Sequence, residues 1–321
     1  MKPYITLLHQ GGTYEIPNSW NAITPDQSLG IVSSYIDLFQ GKISPAMLRI
    51  RHVCHVMHWR IERFAKNEEL MADLISIAEQ VQFPLIIHYP DNKLLDGLSN
   101  EDYELCRRVD PFRNPLPIAK DLQKTDYRYA PDLCFCRQQL PELKVNGKTY
   151  KGYTINTDHG SLTCSLTALQ YIEASAIANS PDAQPLLAAI LYCPDAYSSE
   201  KAQRLADEFS ALPAQTLIAV TMNFQAFCNY LFRRTPFSLL TKFDTPKSKL
   251  ITTDSADALY DLSADGLGNA SQVEQMNVLT YLRILRKKTI DAVRRLHAMD
   301  YDAGKIANEL GLSIDIVIGI I

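Results

Sequence analysis

Glycine is scarce in this chain, 13 of 321 residues, or about 4% where roughly 7% is usual. Phosphate-cradling loops and dinucleotide folds need several glycines close together, so that the backbone can approach the phosphates. The shortage therefore counts against the commonest nucleotide enzymes. An excess of basic residues is missing too: Lys and Arg number 32 against 36 Asp and Glu, for a net charge of −4 and a pI near 6.0. That balance excludes a polyanion binder that is basic over its whole surface. Long apolar runs are absent. Leu186 to Cys193 spans eight residues, where a bilayer crossing takes about 20, and Lys2 is not followed by the apolar block of a secretory signal. The seven cysteines are odd in number and scattered, in a chain long enough to bury a core without staples, which points to reduced thiols in a cytoplasm.

Hydrophobic residues make up 46% of the chain, and at about 150 residues per domain its length suggests two domains. Tyr4 to Leu8, a Gly11-Gly12 turn and Thr13 to Ile16 read as a β-hairpin. Thr24-Pro25-Asp26-Gln27 then supplies an N-cap hydroxyl, a proline at the first helical position and a capping glutamine. Leu29, Val32, Ile36 and Phe39 line one face of the helix that follows, which ends at Gly41. Met47, Ile50, Val53, Met57, Ile61 and Phe64 predict a second helix, and Asn67 to Val81 a third. The order repeats in mid-chain. Leu143 to Val145, Asn146-Gly147 and Lys148 to Ile155 predict strand, turn and strand, and a stripe of Leu166, Leu169, Ile172 and Ala176 enters at Leu162-Thr163. Helices are expected at Leu186–Leu191, Ser199–Leu212 and Thr216–Phe232, and a long one over Val273–Met299.

The expected fold is thus α+β and predominantly helical: small β-hairpins, each followed by a helical bundle, plus a helical C-terminal tail. Residues 1–98 form the first module. Residues 99–140 form a linker or strap, because the prolines of Asp110 to Pro117 forbid a helix. A second, possibly duplicated module covers 141–243, and 244–321 is the tail.

Several constellations carry candidate chemistry. Gly147-Lys148-Thr149 resembles the end of a phosphate loop, but Glu142 stands where that loop needs glycine. Asp261 to Gly266 copies the start of a calcium loop, yet Gln272 replaces the closing carboxylate. His52, Cys54, His55 and His58 are too spread around a helix to share one ion. At best His52 and His55 would bind metal, completed by Cys106 or by Cys134 and Cys136, whose spacing suits one face of a strand. Histidines beside Cys54 would alternatively activate a thiolate. Lys305 to Val317 has the spacing of a helix-turn-helix, with Gly311 at the turn, but its second helix offers few side chains for base edges. No catalytic residue and no cofactor emerge.

The order of strand, glycine turn, Tyr14-Glu15-Ile16-Pro17, Trp20, Thr24-Pro25-Asp26-Gln27 and amphipathic helix resembles the opening of phage and prophage tail-module proteins. A fainter echo runs over residues 143–176. The resemblance implies a tail-assembly chaperone or minor structural component, in the cytoplasm or in a phage particle. The function expected is therefore non-enzymatic, through protein partners or self-association, with nucleic acid unlikely and no membrane. Candidate contacts are Trp20 and Trp59, Arg286 and Lys287 on the basic helix, and the terminal Ile316, Ile318, Ile320 and Ile321. A DNA-binding regulator and a metal or thiol enzyme are the alternatives.

Overall fold

A computed structural model describes residues 2–9, 11–90, 92–193, 196–240, 263, 266 and 268–321. The chain divides into two compact units, Met1–Leu133 and Cys134–Ile321. The fold is α+β and predominantly helical, and the sheets among the described residues are all two-stranded and antiparallel.

In the first unit, β1 (Tyr4–His9) pairs with β2 (Gly12–Pro17) in a register that sets His9 opposite Gly12. The hairpin therefore turns one residue earlier than Gly11-Gly12. Gly11 takes the positive φ of +77°, and Gly12 already belongs to the ladder. Helix α1 (Pro25–Phe39) starts as the sequence predicts, with Thr24 and Gln27 satisfying each other's backbone amides. Its inner face buries Ile31, Val32 and Tyr35, whose hydroxyl donates to the Pro84 carbonyl. The helix expected to run from Met47 to Phe64 is broken. Helix α2 (Pro45–Val56) stops at His58, which adopts φ +52°. The His58 amide donates to His55 O (3.3 Å) and that of Trp59 to Cys54 O (2.8 Å), the paired bonds that close a helix around a left-handed residue. Helices α3 (Ile61–Phe64) and α4 (Glu68–Glu79), the latter capped by Asn67, follow.

Residues 99–133 are not a strap but part of this unit. Strand β3 (Leu85–His88) pairs with β4 (Arg128–Pro131), and α5 (Asn100–Arg108) and α6 (Ala119–Leu122) lie between them in sequence. Ile87, Tyr89, Leu95, Cys106 and Leu122 form one buried cluster. The proline segment is non-helical as expected, but Leu116 packs on the cluster, and Asn114 accepts from the Leu116 amide (3.0 Å) and donates to Cys106 Sγ. Prolines stop a helix without preventing the chain from packing.

The second unit opens with β5 (Glu142–Val145) and β6 (Lys148–Lys151), joined through Asn146 (φ +48°) and Gly147 (φ +79°), as an Asn-Gly hairpin requires. The second strand stops before Ile155, which instead begins β7 (Ile155–Asn156), paired with β8 (Thr163–Cys164). Gly152 lies so close to the buried Tyr192 that an added Cβ would sit 2.7 Å from the ring. Helix α7 (Ala168–Ile177) begins after Thr167, not at Leu162-Thr163, and Thr167 with Gln170 repeats the cap of α1. Helices α8 (Gln184–Leu191), α9 (Ser199–Phe209) and α10 (Ala214–Arg234) follow. Cys134 and Cys136 lie in irregular chain, not on a strand.

The helix expected over 273–299 is two, α11 (Ala270–Glu274) and α12 (Val278–Ala298). Between them Asn277 accepts from the Leu279 amide (3.0 Å) and donates to the Cys164 carbonyl (2.6 Å). The Val278 amide reaches Leu166 O, and the Ala168 amide reaches Met276 O. Val273, Val278, Leu279 and Leu282 are buried, so this region is integral to the second unit and not an appended tail. Helices α13 (Ala303–Leu310) and α14 (Ile314–Ile318) meet across Gly311, at φ +63°. The expected boundary at Phe243 and most of the calcium-like stretch from Asp261 lie outside the described residues.

Candidate functional site

The histidines of the cluster occupy three different environments, two on α2 and one at the break after it. His52 is buried, donates from Nε2 to the Pro17 carbonyl at 3.0 Å, and packs edge-on against Phe83. His55 is partly exposed and pairs through Nε2 with Asp26 Oδ2 at 2.9 Å. His58 is exposed at the left-handed position. Among the described residues no three His, Cys, Asp or Glu side chains gather as metal ligands would. The proposed completing residue Cys106 sits in the buried cluster instead. Burial, with Glu62 adding to it, pushes the Cys54 thiol up to about 11, so the thiolate needed for nucleophilic attack is scarce at neutral pH.

Burial also lowers His52 to about 4, the Pro17 bond opposing and the charge of His55 assisting the shift. An unfolded histidine titrates near 6.5, so the unfolded chain takes the proton first. Stability is complete above about pH 6.5 and falls toward pH 4, by roughly 3 kcal/mol. Denaturant midpoints for the first unit should show this slope, and His52→Gln should flatten it. Equal slopes in both proteins would refute the assignment.

Trp20 is not a surface contact. It is 6% exposed and meets Phe83 edge-to-face at 5.3 Å, because the chain leaving β2 carries it under the core. Trp59 is half-buried on Phe64, 5.2 Å between rings. At the C-terminus the isoleucines separate. Ile316 and Ile320 pack with Val317 on Val293, Ile306 and Leu312. Ile314, Ile318 and Ile321 stay 49%, 57% and 48% exposed. Ile314 and Ile318 are one turn apart on α14 and make one apolar stripe, and Ile321 follows the end of that helix. Asp315 is the only charged residue from Ile314 to Ile321. On α12, Lys287 is exposed with Arg283, Lys288, Arg294 and Arg295, whereas Arg286 is half-buried and donates from Nε to the Pro236 carbonyl at 3.1 Å.

A concavity of about 550 Å³ lies within the second unit. Leu279, Arg283 and Arg286 contribute one stripe of α12, and Tyr230 and Arg234 are one turn apart on α10. The 157–162 loop and Thr235 to Phe237 complete it. The sequence holds a trace of it, basic residues four and seven positions after Leu279, but the same run reads as a solvated helix face.

No protein-family model matches the chain, and neither a curated protein nor a solved structure matches it. Among the described residues no helix is long and apolar enough to cross a membrane.

Proposed function

We propose that this chain is a non-enzymatic assembly protein of the phage tail-module type, working by contact with another protein. The observation that carries the reading is the exposed apolar set of Ile314 and Ile318 on α14 and Ile321 just beyond it, on a helix anchored by Val317 and Ile316. Three aliphatic side chains left in water on and beside a docked helix are a liability unless a partner covers them. The exposed cations Arg294 and Arg295 flank Val293 of the same cluster. The partner is therefore an apolar protein surface rimmed by carboxylates. The resemblance of residues 1–60 to tail-module openings supplies the setting. A DNA-binding reading has less support, because α14 carries Asp315 and none of the Arg, Lys, Asn or Gln side chains that read base edges.

Co-expression with the products of neighbouring genes tests the reading. One of them should co-purify with the wild-type chain, and Ile314→Asp with Ile318→Asp should reduce that association at least tenfold, about 1.4 kcal/mol. Both positions are exposed, so the thermal unfolding midpoint of the double variant should stay at the wild-type value. Association that survives the double substitution would remove the stripe from the interface.

A further inference from the structure

We propose that the 550 Å³ cavity of the second unit binds a small organic phosphate carrying a flat ring, of the mononucleotide class. Its volume falls in the roughly 300–1,000 Å³ range of small-ligand sites. Three guanidinium groups, those of Arg234, Arg283 and Arg286, line it, and no carboxylate does among the described residues. Two of the three have structural work. Arg234 stands in the last turn of α10, where the helix dipole favours a cation, and Arg286 is anchored on the Pro236 carbonyl.

Arg283 has neither reason to be there. It lies in the N-terminal half of α12, gains nothing from that helix dipole, forms no hydrogen bond or ion pair among the described residues, and sits three positions from the like charge of Arg286. An oxyanion that accepts two N–H bonds would relieve that repulsion, and the planar guanidinium fork matches phosphate geometry. Leu162, Tyr230, Phe237 and Leu279 give the wall apolar and aromatic surface, beside the hydroxyls of Thr157, Ser161 and Thr235. Guanidinium groups for an anion next to aromatic surface for a ring match the chemistry of a nucleotide. The scarcity of glycine does not count against this mode, because arginine side chains rather than backbone amides would hold the phosphates.

Calorimetric titration of the full chain with ADP, pyrophosphate and adenosine tests it. ADP should bind at least tenfold tighter than adenosine, and tighter than pyrophosphate. Arg283→Ala should weaken ADP at least tenfold, Arg283→Lys should recover only part of the loss, and Tyr230→Ala should weaken ADP but not pyrophosphate. Arg283 is exposed, so its variants should melt with the wild type. No heat with ADP or pyrophosphate, equal affinity for ADP and adenosine, or ADP binding unaffected by Arg283→Ala would overturn the proposal. ADP no tighter than pyrophosphate would overturn its ring component. None of these outcomes depends on the isoleucine stripe.

Discussion

Asp132→Ala should lower the unfolding free energy of the first unit by about 3 kcal/mol, the lower end of the range for breaking a buried ion pair from one side. Asp132 Oδ2 lies 2.8 Å from Arg108 Nη1, and both side chains are largely buried. Desolvation raises the Asp132 carboxyl above its ordinary range in spite of the attraction of Arg108. The pair therefore contributes little net stability, and the loss comes from what is left behind, an arginine charge without its closest counter-ion. Glu104, 3.1 Å from Arg108 Nε, retains part of the compensation, which is why the lower end of the range is expected. Chemical denaturation of Asp132→Ala measures the loss directly. The double variant Asp132→Leu with Arg108→Met should recover most of it, because two apolar side chains leave no charge to desolvate. A loss below about 1 kcal/mol in the single variant, or no recovery in the double, would show that the pair is effectively solvated.

Phe224→Ala should destabilise the second unit by about 3–5 kcal/mol, the range for deleting a fully buried aromatic ring. Phe224 is wholly inaccessible in the middle of α10 and packs 6.3 Å from the ring of Tyr171 on α7. One turn away on either side of it on the helix, Val220 and Phe227 are buried as well. Side chains already packed in the core reach the vacated space only by leaving their own contacts, so most of the cavity persists and its cost adds to the lost transfer energy. Phe224→Leu, which keeps most of the volume, should cost markedly less. Denaturation midpoints for the two variants give the comparison, and a Phe224→Ala loss under about 1.5 kcal/mol would mean that the core collapses around the site.

Much of the local structure is legible in the sequence, because its determinants are local. Thr24-Pro25-Asp26-Gln27 starts α1 through hydrogen bonds within four residues, and Asn146-Gly147 makes its hairpin because both residues tolerate positive φ. The errors share the opposite character. Nothing near His58 announces a left-handed residue, since no glycine marks it. The continuation of an apolar stripe past that point then looks like one helix. Asn277 looks like one more helical residue until the Cys164 carbonyl, far away in sequence, accepts from it. The strap became part of the first unit through β3–β4 pairing across some forty intervening residues, a cost in loop closure that no local pattern reports.

The candidate sites divide in the same way. The histidine cluster is real as sequence, and its spacing on one helix leaves at best His52 and His55 to share a metal ion. In the fold His52 turns to a backbone carbonyl and His55 to Asp26, each satisfied separately. Tryptophan was expected at the surface by its frequency in interfaces, but Trp20 lies beneath the hairpin exit against Phe83. The terminal isoleucines were one apolar block in sequence, and packing on α12 and α13 divided them into an anchored and an exposed set.

By itself, then, the sequence determined the helical α+β class, the caps, the hairpin turns and the absence of a glycine-rich phosphate loop, all of which depend on contacts within a few residues. Only the tertiary structure decided which apolar residues remain in water, which histidines are spent on internal bonds, and that Leu279, Arg283 and Arg286 line one cavity with Tyr230 and Arg234. Burial and juxtaposition are set by long-range packing. A chain of residues carries them only implicitly, through the energy of the whole fold.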